Sequence, residues 1–547
     1  MAGMRAGEIM SNETYDYVIV GAGSAGCILA NRLAEDGKAT VCVLEAGPPD
    51  KTMFIHMPAG FIRILFHPVY NWKFMSDGEP QLRNRQIYAP RGRTLGGSSS
   101  VNGMIYNRGH RADFEEWKSL GNAGWGWDDL LPYFRKSIHN ENYNDGKYHD
   151  RKGELNIKYL EEPNKLDAAF IEAAESLQKK RIADFNTGES EGFGMFQVTI
   201  RDGRRESAAT AFLNPIKNKQ NLKIETDAHV SRVVIENGRA AGVEFMRGGS
   251  AHRVNARREV IVATGTFQSP QVLQLSGIGD PAELRQFGID VKHALPGVGK
   301  NLQEHVCAPV HFLSPSTDTY GVSWGAMPKI AWQFLRYAFG RKGLLSNNLV
   351  EAGGFIRTEP GLDRPDVQHI FVATHQGKPG RLLAWGHGFR ISTCVLHPKS
   401  RGTVGLNTPK AGDPPKIKFN FFTDPGNYDM QILIRGIRDA RRILQAPAFD
   451  KYRGAAVWPG DNVQSDAEME NFVRDIATTL FHPVGTCKMG RDDMAVVDDR
   501  LRVRGVNGLR VADASIMPTI TTGNTNAPVM AIAEKGADMI KADARAA

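Results

Sequence analysis

Tyr15-Asp16-Tyr17-Val18-Ile19-Val20 runs directly into Gly21-Ala22-Gly23-Ser24-Ala25-Gly26 and on into Cys27-Ile28-Leu29-Ala30-Asn31-Arg32-Leu33-Ala34. The first six residues are a short apolar run closed by a glycine-rich turn, the pattern of a buried strand. The last eight have helical spacing, which Gly37 breaks. Thr40-Val41-Cys42-Val43-Leu44 then reads as a second strand ending at Glu45. The whole predicts a βαβ unit. A lone G-x-G-x-x-G says little. This one follows a strand, opens a helix and has an acid 24 residues after Gly21, which is the context of a dinucleotide-binding turn. Gly21 permits the tight turn, Gly23 lets backbone approach a pyrophosphate, and Gly26 lets helix and strand pack closely. The helix start offers unpaired N–H groups to phosphate charge. The Glu45 carboxylate is placed to accept from ribose hydroxyls.

Similar apolar runs recur far along the chain. Val233-Val234-Ile235 and Gly242-Val243-Glu244-Phe245 flank Asn237-Gly238, a hairpin signal. Glu259-Val260-Ile261-Val262-Ala263 and Leu509-Arg510-Val511-Ala512-Asp513 read as further strands, and Val529 to Lys541 as a helix behind a Gly/Asn/Thr-rich loop. The nucleotide-binding core is therefore assembled from separated pieces with other material inserted between them. Pro328 to Leu345 is apolar, aromatic and basic at helical spacing. It reads either as a surface helix packed on the core or as a contact for a membrane surface or another partner.

At 547 residues the chain has material for two to four domains. Apolar residues make up 41% and charged residues 23%, so disordered and fibrous classes are excluded. Net charge is +8 without any long basic run, Arg204-Arg205 and Arg257-Arg258 being the nearest, so no nucleic-acid partner is expected. Cys27, Cys42, Cys307, Cys394 and Cys487 are scattered and odd in number, which predicts reduced thiols and a cytoplasmic location. Met1 to Asn12 lacks the apolar stretch of a signal peptide. No metal-ligand spacing occurs, and no metal is expected.

Five further stretches carry a family resemblance. Gly92-Arg93-Thr94-Leu95-Gly96-Gly97-Ser98-Ser99-Ser100-Val101-Asn102-Gly103-Met104-Ile105-Tyr106-Asn107-Arg108-Gly109 resembles the first signature of the glucose–methanol–choline (GMC) oxidoreductases. Gly265-Thr266-Phe267-Gln268-Ser269-Pro270 through Ser276-Gly277-Ile278-Gly279 resembles the second. Phe481-His482-Pro483-Val484-Gly485-Thr486 is similar to the segment carrying that family's catalytic histidine. Asp513-Ala514-Ser515-Ile516-Met517-Pro518 and Thr522-Gly523-Asn524-Thr525-Asn526-Ala527-Pro528 are similar to its closing flavin-contact motifs. With the nucleotide turn these run in family order from residue 15 to 528, and the chain looks most like the choline dehydrogenase and alcohol dehydrogenase branch.

The resemblance implies an α/β (α+β overall) fold: a discontinuous Rossmann-like FAD-binding domain with an inserted substrate domain built on an antiparallel sheet. The expected division is 13–48, 88–135, 222–305 and 481–547 for FAD, and 49–87, 136–221 and 306–480 for substrate. It implies oxidation of a primary alcohol to an aldehyde by hydride transfer to flavin N5, with electrons passed to a quinone or other carrier. The alternatives are an oxidase releasing hydrogen peroxide, a non-redox flavoprotein lyase, and a nucleotide-binding structural protein. Oligomeric state stays open, and membrane contact is at most peripheral, at the inner membrane.

Implied cofactor contacts are Gly21, Gly23, Ser24, Gly26, Glu45 and Ala46 from the turn and second strand. Arg91, Gly97, Ser98, Asn102, Gly103, Met104 and Ile105 come from the first signature and its approach. Val230, Ala263 and Gly265 come from the middle strands, and Asp513, Ala514, Asn524, Thr525 and Asn526 from the closing motifs. Some relatives link FAD covalently through a His where this chain has Val101, so non-covalent FAD is expected. Relatives commonly show Asn-Leu-x-Asp-His where this chain has Asn301-Leu302-Gln303-Glu304-His305, a conservative departure; His305 reads as structural or as part of the flavin domain.

The same carry-over makes His482 the catalytic base and Asn526 its partner. A neutral imidazole is suited to take the proton of an alcohol near neutral pH, and an amide can donate to the oxygen as charge develops. Pro528 suits the first turn of the closing helix, whose positive end would face charge on the reduced flavin. Cys487 and Cys394 read as buried thiols. Phe54, Phe61, Phe66, Trp72, Phe193, Phe196, Tyr320, Trp324 and Trp385 fall in the inserted segments as core or as pocket lining, including an aromatic box for a choline-like cation.

Overall fold

The structure is a computed structural model that describes residues 12–377 and 383–546. The signal-peptide expectation for Met1 to Asn12 lies almost wholly outside these residues. Two sheets organise the rest. In the first, Asn12–Val20 is central. It pairs in parallel with Val41–Leu44 on one side and Ser250–Val262 on the other. Leu222–Glu225 extends the parallel array beyond Val41–Leu44, and Leu509–Val511 pairs in parallel with Ser250–Val262. Val18, Ile19 and Val20 are fully buried, as a parallel strand covered on both faces must be. The hairpin closes as expected. His229–Glu236 and Arg239–Arg247 are joined by Asn237 and Gly238, both at positive φ (49° and 72°), the geometry a two-residue hairpin loop requires.

Two helices pack against this sheet and each other. Ser24–Ala34 leaves the glycine turn, and Asn526–Ala546 closes the chain. The closing helix is longer than expected and begins at Asn526, with Pro528 in its first turn. Arg32 binds them together: its Nη2 lies 2.6 Å from Glu534 Oε1, and Glu534 is fully buried.

The second sheet is antiparallel, in the order Ala456–Trp458, Val306–Leu313, Gly388–Val395, Val367–Val372, Ala352–Ile356, Gly192–Met195. Thr478–Thr479 also pairs with the Val306 end of Val306–Leu313. The helix Tyr428–Gln445 covers one face. Gly436 sits so close to Thr393 and Val367 that a Cβ there would meet Thr393 Cγ2 at 2.6 Å, and His369 Nε2 lies 3.2 Å from Asp439 of that helix. Side chains alternate along a strand. Ile370, Val372, Arg390 and Ser392 therefore point away from the helix, toward the nucleotide sheet.

The segment 136–221, expected in the substrate part, divides its packing between the two sheets. Within 136–221, Ile138, Leu155, Ile157, Ala211 and Phe212 pack into the core of the first sheet, not the second. Phe212 lies under the Ser24–Ala34 helix, whose Asn31 donates to its carbonyl at 2.7 Å. The apolar residues of a segment do not announce which sheet they will cover.

Met327–Gly340 is a helix with no buried residue. Trp332, Phe334, Leu335 and Phe339 are 60, 52, 50 and 89% exposed. Its inner face, with Ile330, Gln333, Arg336 and Tyr337, is only half-buried, and Arg336 pairs with Glu162, so the helix lies on the surface with a bare outer face. Among the described residues no helix is long and apolar enough to cross a membrane. All five cysteines are buried, with free thiols.

Candidate active site

One continuous cavity opens between the two sheets, about 2220 Å³ when the open solvent at its mouth is counted. Every residue expected to contact cofactor lines it except Gly26, and His482 lines it too. Gly26 does its work in the packing: a Cβ there would lie 1.9 Å from Gly21 O. Gly21 takes φ 96°, and a Cβ on it would meet Ala263 O at 2.7 Å. Gly23 differs. A Cβ there would touch only Ala263 O, at 3.9 Å, so nothing in the protein requires glycine. The open space before it is what a phosphate approaching the backbone would use.

Two helix starts meet at this point. Ser24 and Asn526 are the first residues of their helices, and Ser24 Oγ donates to Asn526 Oδ1 at 2.7 Å. Converging N-termini make a positive pole for a diphosphate. At the nucleotide end, Glu45 accepts from Ala22 N (3.0 Å) and Gly47 N (2.8 Å). Each oxygen keeps acceptor capacity for ribose hydroxyls. Burial pushes this carboxyl up to about 7. These features fit an extended dinucleotide such as FAD. Asp513 is tied inward, accepting from Gly265 N (2.9 Å) and Ser269 Oγ (2.6 Å), and so holds the Gly265 turn against the cavity.

At the other end, His482 stands on the loop after Thr478–Thr479. Gln303 and Val484 exchange backbone hydrogen bonds at 3.1 and 3.0 Å and pin that loop, and the His482 amide donates to Glu304 Oε1 at 2.8 Å. Phe481, just before, is held at φ 71°, an uncommon conformation for a bulky residue and a mark of a constrained site. Arg91 Nη2 donates to its carbonyl at 2.6 Å. Burial pushes Glu304 up to about 7 and Arg91 down to about 10.

Three hydrogen bonds set the state of His482. His305 Nε2 is 3.0 Å from Leu396 O. A carbonyl only accepts, so that nitrogen carries the proton. The Nδ1 of neutral His305 is then an acceptor, and it lies 3.0 Å from His482 Nδ1. His482 is thereby the Nδ1–H tautomer. Its Nε2 is left as the basic atom, 3.0 Å from the Asn524 amide nitrogen. Burial, with His305 and Arg91 nearby, holds the ring well below the ordinary imidazole range, so it is neutral.

The partner expected from sequence was Asn526; the structure puts Asn524 there instead. Gly523 turns at φ 84°, and Thr522 is clamped by Asp113, which accepts from its N and Oγ1 at 2.7 and 2.9 Å. Asn524 then faces His482, with its Oδ1 buried and unbonded. Asn526, two residues on, is already helical and turns to Ser24. His305 likewise belongs to the site, as the residue that sets the tautomer. Of the aromatics, Phe61 and Trp72 line this cavity. Phe54, Phe66 and Tyr320 line a separate outer cavity. Phe193 and Phe196 are core, while Trp324 and Trp385 meet each other on the surface. They do not close into one box.

A dinucleotide cleft ending at a buried neutral histidine defines a flavin-dependent oxidoreductase. The chain belongs to the GMC oxidoreductase family: the family's N-terminal and C-terminal models match residues 15–307 and 398–533. It is an FAD-dependent enzyme of alcohol oxidation. It is 42% identical over 528 residues to an alcohol dehydrogenase [acceptor] of Pseudomonas putida, covering 96% of this chain and 95% of that one. It is 43% identical over 530 residues to an oxygen-dependent choline dehydrogenase of Rhizobium etli, with the same coverage. The crystal structure of pyridoxine 4-oxidase from Mesorbium loti superposes with a TM-score of 0.86 at 31% identity, covering 96% of this chain and 98% of that one.

Proposed function

We propose that the enzyme oxidises a primary alcohol to the aldehyde, with His482 Nε2 as the base and Asn524 as hydrogen-bond donor to the substrate oxygen, and passes the electrons to a quinone or other carrier. The observation that carries this is the bond chain Leu396 O, His305, His482, Asn524, which leaves one unprotonated nitrogen on the cavity. When bound, FAD accepts the hydride. The chain's own residues do the rest. His482 takes the hydroxyl proton; Asn524 steadies the oxygen as charge develops. The two helix starts and Glu45 would hold the cofactor's phosphates and ribose. Val101 offers no nucleophile, so the flavin is held non-covalently. The nucleotide-binding part consists of the first sheet with the segments that pack on it, including 138–157 and 208–213, and the second sheet with its helix forms the substrate part.

The exposed Met327–Gly340 helix favours peripheral attachment to an anionic lipid surface. From Met327 to Ser346 the chain has Lys329, Arg336, Arg341 and Lys342 and no acid, beside the exposed aromatics. Such a face suits a carrier dissolved in the membrane.

The test is anaerobic mixing of the yellow holoenzyme with a panel of alcohols. Flavin bleaching is expected with at least one primary alcohol, slowed in His482→Ala. Full-rate bleaching in that variant overturns the assignment of the base. In air, hydrogen peroxide released in step with aldehyde would replace the carrier with oxygen.

A further inference from the structure

Arg390 lies on Gly388–Val395, opposite His311 on one neighbouring strand and Val372 on the other. It lines the cavity beside Ile370, Val372 and Ser392 yet is only 5% exposed. Its side chain bonds to one residue: Nη1 donates to Thr374 Oγ1 (2.6 Å) and Thr374 O (3.3 Å). Nε and Nη2 have no acceptor, and no carboxylate pairs with the guanidinium, among the described residues. Arg205, also buried without a carboxylate, differs: Ile55 O, Ser99 O and Asn102 Oδ1 accept from it.

The ionisable groups around Arg390 are His311, His375 and Cys307, none of them an anion near neutral pH. Burial with Arg390 nearby pushes His311 down to about 3, and burial pushes the Cys307 thiol up to about 12. The guanidinium, lowered to about 10 by burial, keeps its charge. A buried cation without a counter-charge is costly to keep, and one facing a cleft is a place to look for a ligand. The wall's only carboxylates among the described residues, Glu45 and Asp513, are bonded at the nucleotide end.

We propose that Arg390 receives a carboxylate at the far end of the substrate, so that the preferred alcohol is a hydroxy acid with an apolar spacer. This rests on the alcohol-oxidising reading of His482. His305, which touches His482, and His311, opposite Arg390, flank the two ends of one strand; at about 3.4 Å per residue they stand roughly 20 Å apart along it. The wall between carries Ile370, Val372 and Leu480, suited to methylenes. The same cation opposes a quaternary ammonium, so choline, the substrate named for one group of relatives, fits this cavity poorly.

The experiment compares ω-hydroxy carboxylates with their methyl esters by anaerobic flavin reduction of the holoenzyme. The acid is expected to exceed its ester by about 10- to 100-fold in kcat/KM, mainly through KM. Arg390→Met should bring that ratio near unity, and Arg390→Lys should keep part of it. Equal rates for acid and ester, or an unchanged ratio in Arg390→Met, overturn the proposal. Alkanoates titrated into oxidised holoenzyme give a separate reading: the flavin spectrum should shift on binding, and absence of binding at any chain length also overturns it. This titration needs no turnover, and with wild-type protein alone it decides the matter if Arg390→Met fails to fold. If no alcohol bleaches the flavin yet alkanoates bind, the alcohol reading fails and the Arg390 site stands.

Discussion

His305 Nδ1 lies 3.0 Å from His482 Nδ1, and the two rings meet nearly edge to face, at 88°. This contact makes one histidine the orienter of the other. Burial holds His482 neutral below its ordinary range, and the second ionisable ring beside it adds to that. The acid limb of kcat/KM, which reports the free enzyme, is therefore expected well below pH 6.5. In His305→Asn burial and Arg91 still act on His482 while the neighbouring ring is gone, so the limb should move up but stay below pH 6.5. A limb at the same pH in both enzymes would contradict the coupling.

Asn524 and Asn526 should separate in their effects. Asn524→Ala removes the amide donor beside His482 and should lower kcat by about 10²-fold while flavin content is retained. Asn526→Ala removes the link to Ser24 and should loosen the flavin, seen as a lower bound-flavin ratio after gel filtration. The reverse pattern would return the catalytic position to Asn526.

Glu45 gives a pH dependence of cofactor binding. With its carboxyl near pH 7 before FAD binds, the free protein carries it protonated below that and charged above. Ribose hydroxyls are better held by the charged form. FAD affinity should rise as pH increases through about 7 and then level off. Glu45→Gln should bind more weakly and without that rise, as measured by flavin fluorescence titration.

The Arg32–Glu534 pair is buried on both sides, at 6 and 0% side-chain exposure. Arg32 also pairs with Glu154, at 2.5 Å, so removing Glu534 leaves the guanidinium one counter-charge of two. Glu534→Gln is expected to cost about 1.5–3 kcal/mol, read as a lower urea midpoint, whereas replacing the exposed Asp538 should change it little.

Vesicle binding tests the exposed helix. Phe339→Asp and Trp332→Glu should each reduce sedimentation with anionic vesicles without altering anaerobic flavin bleaching by a soluble alcohol. Equal sedimentation of all three proteins would remove the lipid surface as its occupant.

Much of the nucleotide site was legible in the sequence because spacing encodes it. Gly21, Gly23, Gly26 and Glu45 have fixed offsets that follow from one strand, one turn and one helix. The position of Asn524 was not legible. Two asparagines stand two residues apart where a loop becomes a helix, and which one faces His482 depends on the turn at Gly523 and on the residue where the helix begins. His305 reads as an ordinary buried histidine until its neighbour from residue 482 is beside it. Arg390 is one polar residue in an alternating strand, and only the missing partner distinguishes it. The Met327–Gly340 helix has the same periodicity whether its apolar face is covered or bare. Segments 138–157 and 208–213 carry apolar residues that suit either sheet.

The central strand of the first sheet, residues 12–20, takes its neighbour from residues 250–262, and the sheet gains its last strand at 509–511. The opening helix then leans on a helix that starts at Asn526. A nascent chain leaving the ribosome thus presents its glycine turn first and waits for about 500 more residues before the cleft can close. Capture of the flavin is in consequence a late step, and a message truncated ahead of Asn526 should yield colourless protein.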